Sequence, residues 1–186
     1  MDVGGGVGVC YRDETVEPIE NLVLGLKSRL TQSGFDHLRI VMEPGRSIVA
    51  AAGLLLCSVQ YVKTTPVKHF LITDAGMNDL IRPALYAAWM PVLPIRQSDC
   101  PEVLFDVVGP VCESSDWLAR DRVLPAQTGE LLAVTMAGAY SMSMASRYNS
   151  RRLPAEFLVS GKTSQLIRRR DSLEDLWTNE IVPADI

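Results

Sequence analysis

Two short apolar runs, Met1–Val9 and Leu38–Met42, flank a stretch in which Ile19, Leu22, Val23, Leu26 and Leu30 recur at helical spacing. Pro18 suits the first helical position, and Gly34 suits the end. The pattern reads strand, helix, strand. Strands joined through a crossover helix run parallel and need cover on both faces. A two-stranded piece cannot bury itself. The first part is therefore expected either to be completed by another chain or to be a fragment of a larger α/β domain.

Further along, the chain changes character. A small-residue helix is expected over Ser47–Leu56. Strand-like runs come next at Ser58–Lys63, Lys68–Thr73, Glu102–Val108, Glu130–Met136 and Glu156–Val159, with turn signals between them. One short helix is expected around Leu80–Ala88. Another is expected over Leu173–Glu180, capped by Asp171 or Ser172. The expected fold class is α/β plus all-β, divided into residues 1–57 and a mostly β domain of residues 58–186.

Composition excludes several classes of function. The net charge of −4 comes with no basic stripe, which argues against nucleic acid as a partner. The longest apolar run, Ile48–Cys57, is broken by Gly53 and is too short to span a membrane. Met1-Asp2-Val3-Gly4 lacks the basic flank and apolar core of a signal peptide. Cys10, Cys57, Cys100 and Cys112 form no C-x-x-C pair, and His37 and His69 stand alone, so no metal site is expected. Free thiols fit a reducing cytoplasm.

Several short segments carry chemistry. Gly4-Gly5-Gly6-Val7-Gly8 lies between a strand and a helix, where backbone N–H groups can cradle a phosphate; a plain tight turn is the equal alternative. Glu43-Pro44-Gly45-Arg46 ends a strand, where α/β enzymes place reactive groups. Glu43 can hold a protonated ring nitrogen, Gly45 can donate to phosphate, and Arg46 can bind an anion. A Pro-Gly turn with a surface ion pair is the commoner meaning of such residues. Arg82 and Tyr86 are four apart on one helix face and could clamp a carboxylate. Cys112-Glu113 comes after the turn signal Gly109-Pro110. A thiol there can donate a proton and the carboxylate can hold an ammonium. Tyr140, after Gly138-Ala139, could reach a phosphate. Arg168-Arg169-Arg170, beside Asp171, Glu174 and Asp175, reads as a self-compensated charged run.

The ordered set DVGGGVGV, EPGRSIVAAAG, DAGMNDLIRPALY, VGPVCESSDWLARDR, GAYSMSMASRYNSR and AEFLVSGK resembles the diaminopimelate decarboxylases, fold type III enzymes that use pyridoxal 5'-phosphate. The resemblance implies the last βα units of an alanine-racemase-like (β/α)8 barrel, followed by a β-barrel or Greek-key-like C-terminal domain. It implies decarboxylation of meso-2,6-diaminopimelate to L-lysine. Gly5, Gly6 and Gly45 would hold the cofactor phosphate with Tyr140, and Glu43 would pair with the pyridinium nitrogen. Arg46, Arg82 and Tyr86 would bind substrate carboxylate. Cys112 would return a proton after carbon dioxide leaves, and Glu113 would hold the distal ammonium. Both would act in the partner's site of a homodimer. The related ornithine enzymes carry Cys-Asp where this chain has Cys112-Glu113, which favours diaminopimelate over an ornithine or arginine substrate. The family's Schiff-base lysine lies on an early barrel strand. None of Lys27, Lys63, Lys68 or Lys162 stands in that context, so this chain is expected to be inactive alone. A non-catalytic dimerisation or regulatory module is the second expectation.

Overall fold

A computed structural model describes residues 1–184. Helix α1 spans Ile19–Gln32, and α2 spans Gly45–Val49 and runs on into a 3₁₀ turn at Ala50–Ala52. Strands β1 (Leu55–Thr64) and β2 (His69–Thr73) come next, then helix α3 (Arg82–Tyr86) and strand β3 (Val92–Pro94). Strands β4 (Val103–Val108), β5 (Trp117–Leu124), β6 (Leu131–Val134), β7 (Glu156–Ser160) and β8 (Thr163–Arg168) complete the regular elements.

Six strands form one sheet in the order β3-β6-β1-β2-β4-β5. Only the β2–β4 pairing within it is parallel. The sheet curls until its edges β3 and β5 touch. Arg122 of β5 bridges the seam, donating to the Met90 carbonyl at 3.3 Å and stacking 4.3 Å over the Trp89 ring. The result is a nearly closed, barrel-like sheet. Alternation along the strands turns Val59, Leu71, Val107, Leu118, Leu132 and Val134 inward, each no more than 1% exposed. Burying a side chain of this size contributes roughly 1.5–3 kcal/mol. The strands β7 and β8 form a separate hairpin that stands away from this core, with Phe157, Val159 and Ile167 exposed.

The expected strands of the β domain are present. Three others had no clear period in the sequence: β3, β5 and β8. In β5, Arg120-Asp121-Arg122 interrupts the apolar alternation, and Asp121 adopts φ 54° at an irregular register. Its charges are absorbed by neighbours: Lys68 reaches Asp106 at 2.6 Å and Asp121 at 3.7 Å. That Asp106 contact holds the Lys68 ammonium above its ordinary range.

The first 54 residues correct the sequence reading. Met1–Val9 and Leu38–Met42 do not form strands; they meet in one parallel bridge, Asp2 to Val41. Val3 N–H donates to the Val41 carbonyl at 3.0 Å, and Val41 N–H to the Met1 carbonyl at 2.9 Å. Without flanking strands a parallel pair extends no further. The βα units of a (β/α)8 barrel are thus not formed as regular units here. The helix expected over Ser47–Leu56 stops at Ala52, because Gly53 turns extended and leads into β1. The C-terminal helix shrinks to a 3₁₀ turn, Glu174–Leu176. Ser172 caps it: its Oγ accepts from Asp175 N–H at 3.3 Å, and its own N–H donates to Asp175 Oδ2 at 2.7 Å.

Candidate active site

The glycine turn is held by the bridge between Asp2 and Val41. Gly4 and Gly6 take φ of 72° and 79°, which only glycine adopts freely. Glu43 N–H donates to the Gly4 carbonyl at 2.9 Å, so residue 43 stands beside the turn. A Cβ on Gly5 would come within 2.5 Å of the Glu43 carbonyl oxygen. Among the described residues the N–H groups of Gly5 and Gly6 have no acceptor, while that of Gly45 is taken by the Glu43 carbonyl at 2.8 Å. Two adjacent free amides in a glycine turn make a nest for an oxyanion. The Glu43 side chain is exposed and makes no hydrogen bond among the described residues. A phosphorylated pyridine ring therefore fits the donor and acceptor set.

Next to it stands a column of alternating cations and rings. The Arg46 guanidinium lies 5.5 Å from the centre of the Tyr140 ring, and that of Arg82 lies 5.7 Å from it. Arg82 also lies 5.1 Å from the centre of the Tyr11 ring, and its Nη1 donates to the Tyr11 hydroxyl at 2.5 Å. Arg82 is only 7% exposed. Among the described residues no carboxylate pairs with Arg82 or Arg46. Burying an uncompensated guanidinium is costly, so a bound anion would stabilise Arg82 where it stands.

Tyr140 is placed by close backbone packing. Gly138 N–H donates to the Ala50 carbonyl at 3.0 Å, and Ala137 N–H to the Gly53 carbonyl at 2.8 Å. A Cβ on Gly138 would overlap the Val49 carbonyl. Tyr140 itself sits at φ 59°, a strained position for a bulky residue. Tyr86 is different: on the one-turn helix α3 it is 62% exposed and, among the described residues, makes no hydrogen bond or cation–π contact with Arg46, Arg82 or Tyr140.

Cys112 and Glu113 lie together on the loop between β4 and β5, both exposed. The buried carboxylate of Asp116 shapes that loop. It accepts from Val111 N–H and from Met77 N–H, each at 2.6 Å. Glu113 accepts a hydrogen bond from the Tyr148 hydroxyl at 3.2 Å. That contact and the nearby charge push the Tyr148 phenol above its ordinary range. Among the described contacts this pair is not joined to the arginine–tyrosine column. Arg151 ties the intervening loop in place, donating to Asn78 Oδ1 at 2.8 Å and lying 3.7 Å from Asp79. Burial pushes the Asp79 carboxyl up despite that arginine. The sequence assigns no role to Tyr11 or Tyr148, and Asp116 stands in it only as the end of the Cys112–Asp116 run. A tyrosine just after a glycine turn and an acid shortly after a Cys-Glu pair were the only signals. Among the described residues there is no cluster that could hold a metal ion and no helix long and apolar enough to cross a membrane.

A family model, "Pyridoxal-dependent decarboxylase, C-terminal sheet domain", matches residues 13–138. The chain belongs to the pyridoxal-dependent decarboxylases and carries their C-terminal sheet domain. More narrowly, it is 49% identical to the diaminopimelate decarboxylase of Pseudomonas aeruginosa over 97% of its length, covering 43% of that protein. It superposes on the diaminopimelate decarboxylase of Helicobacter pylori complexed with L-lysine at TM-score 0.88 and 45% identity, covering 95% of this chain and 43% of that one. For the enzyme from M. jannaschii in co-complex with L-lysine the TM-score is 0.91 at 38% identity, over 98% and 43% of the two chains. The chain thus spans less than half the length of these relatives. Pyridoxal 5'-phosphate is the cofactor of the family.

Proposed function

We propose that this chain is the C-terminal part of a decarboxylase that converts meso-2,6-diaminopimelate to L-lysine. Residues 1–57 would complete a (β/α)8 barrel of the alanine-racemase type, and residues 58–186 would form the Greek-key-like C-terminal domain. The observation that carries the reading is the column Arg46–Tyr140–Arg82, which holds a buried guanidinium with no carboxylate partner among the described residues.

When bound, pyridoxal 5'-phosphate supplies an electron sink for the pair left behind as carbon dioxide departs. The Gly5 and Gly6 amides hold its phosphate, with Gly45 and the Tyr140 hydroxyl at the rim. Glu43 keeps a proton on the ring nitrogen. Arg46, Arg82 and Tyr86 bind substrate carboxylate, Arg82 through its free N–H edge. Cys112 delivers its Sγ proton to the α-carbon, and Glu113 accepts the distal ammonium. As the resemblance implies, Cys112 and Glu113 would act in a partner subunit's site, and the working unit would be a homodimer. The lysine that anchors the cofactor lies outside this chain, and the fragment alone is inactive. The four free cysteines are consistent with work in the cytoplasm.

The test is turnover by the whole enzyme containing this chain, supplied with cofactor. Release of carbon dioxide and L-lysine from meso-2,6-diaminopimelate is expected, with Cys112→Ala slowing turnover by about 10²–10⁴-fold. Faster turnover of ornithine or arginine would overturn the substrate assignment. Inactivity on all three with cofactor bound would favour a non-catalytic module.

A further inference from the structure

Tyr11 has no part in the chemistry above, yet it makes the one protein hydrogen bond to the Arg82 guanidinium among the described contacts. Its ring packs against the sheet's core from the segment just beyond the glycine turn. Its hydroxyl holds one corner of the Arg82 fork, and the Tyr11 and Tyr140 rings both lie within 6 Å of the guanidinium carbon. A guanidinium offers five N–H donors in one plane. With one donor pinned on Tyr11 and the side chain buried, the others are left to a planar acceptor. A long flexible arginine without such a pin must lose rotamer freedom when its anion arrives.

We propose that Tyr11 is a positioning residue for Arg82: its hydroxyl orients the guanidinium plane so that the free edge meets the substrate carboxylate. The proposal rests on the reading of Arg82 as a carboxylate anchor. It also links the turn that would hold the cofactor phosphate to the group that would hold the substrate, since residues 4–11 carry both the turn and the pin. If Tyr11 served only the core, phenylalanine would do as well, because the ring alone makes those contacts.

The test is Tyr11→Phe in the whole holoenzyme, assayed on meso-2,6-diaminopimelate. The substitution keeps the ring and removes the hydroxyl. KM is expected to rise on the order of tenfold, because a lost hydrogen bond to a charged group changes binding by about that factor. The maximal rate should stay within about twofold, the signature of a contact made equally in ground and transition states. Cofactor affinity should be unchanged. Arg82→Lys should raise KM by itself, and adding Tyr11→Phe to it should change nothing further, since lysine offers no fork to orient. If Tyr11→Phe folds poorly, Tyr11→His, which keeps a polar ring, must show a smaller KM rise at equal cofactor loading. An unchanged KM in an active Tyr11→Phe enzyme overturns this proposal and leaves the functional reading standing. So does a KM rise that is fully additive with Arg82→Lys. A wild-type holoenzyme that does not decarboxylate meso-2,6-diaminopimelate overturns the functional reading, and this proposal with it.

Discussion

The chemistry of single residues in this chain is set by burial more than by residue type, and the cysteines make the point. Cys57 lies on β1 at 2% exposure, and burial pushes its thiol up to about 12. Cys10 and Cys112 are exposed. Because the thiolate is the reacting species, a thiol reagent at about pH 8 is expected to label Cys10 and Cys112 in the native chain and to reach Cys57 only after denaturation. Site-resolved mass spectrometry would read this; rapid labelling of Cys57 would mean that β1 is not buried. Tyr148 supplies a second test. The Glu113 carboxylate accepts a hydrogen bond from its hydroxyl and repels a phenolate, so ionisation is shifted to higher pH. This contact is worth most below the ordinary tyrosine range near 10 and is lost as pH rises through the elevated value. Glu113→Gln is expected to bring the Tyr148 titration back down, measured from its ring carbon NMR signals. A titration unmoved by that change would sever the pair. The sequence showed Cys112, Glu113 and Arg82 as candidates because their residue types carry chemistry. It did not show that Arg82 is buried, or that Tyr11, 71 residues away, holds it.

At the level of elements, legibility depended on a local period. The strands β1, β2, β4 and β6 alternate or run apolar between turn signals, and each is present. The strand β5 was missed because Arg120, Asp121 and Arg122 break its pattern. Those charges are tolerated only because Trp117, Trp89 and Lys68 stand beside them in the folded sheet. The column of arginines and tyrosines was half legible. Its members share no segment and meet only because the turn after β6 packs onto the end of α2. Gly138 is the contact point, where no Cβ fits beneath the Val49 carbonyl. Gly138→Ala is therefore expected to destabilise the chain by about 1–3 kcal/mol, as overpacking does. It should also move Tyr140 off Arg46. Chemical denaturation would measure the first effect and cofactor titration of the whole enzyme the second. Normal stability together with normal cofactor affinity would show that the close approach is not rigid.

Across the whole molecule, cohesion is uneven. More than half of the buried apolar residues, among them Val59, Leu71, Leu118 and Leu132, lie on strands of the six-stranded sheet. In contrast, α1 has no buried residue at all, and the strand expected on each side of it is reduced to one bridge. Its apolar face, carrying Val23, Leu26 and Leu30, lines an open groove with Leu38, Ile40 and Met42. The helix spans 14 residues, a length that is marginal in water without tertiary support. The expectation from sequence that this βα part cannot bury itself is thus matched by its geometry. In the isolated chain, amides of α1 should exchange with solvent orders of magnitude faster than those of β1, β2 and β4, because local opening there breaks almost no buried contact. In the whole enzyme the same α1 amides should slow toward the rate of the sheet, if a completed barrel covers the groove. Hydrogen exchange read out by peptide mass spectrometry resolves both states. Equal protection of α1 and β1 in the isolated chain would show that the first 54 residues are stable by themselves, and the need for a larger α/β layer would disappear with that result.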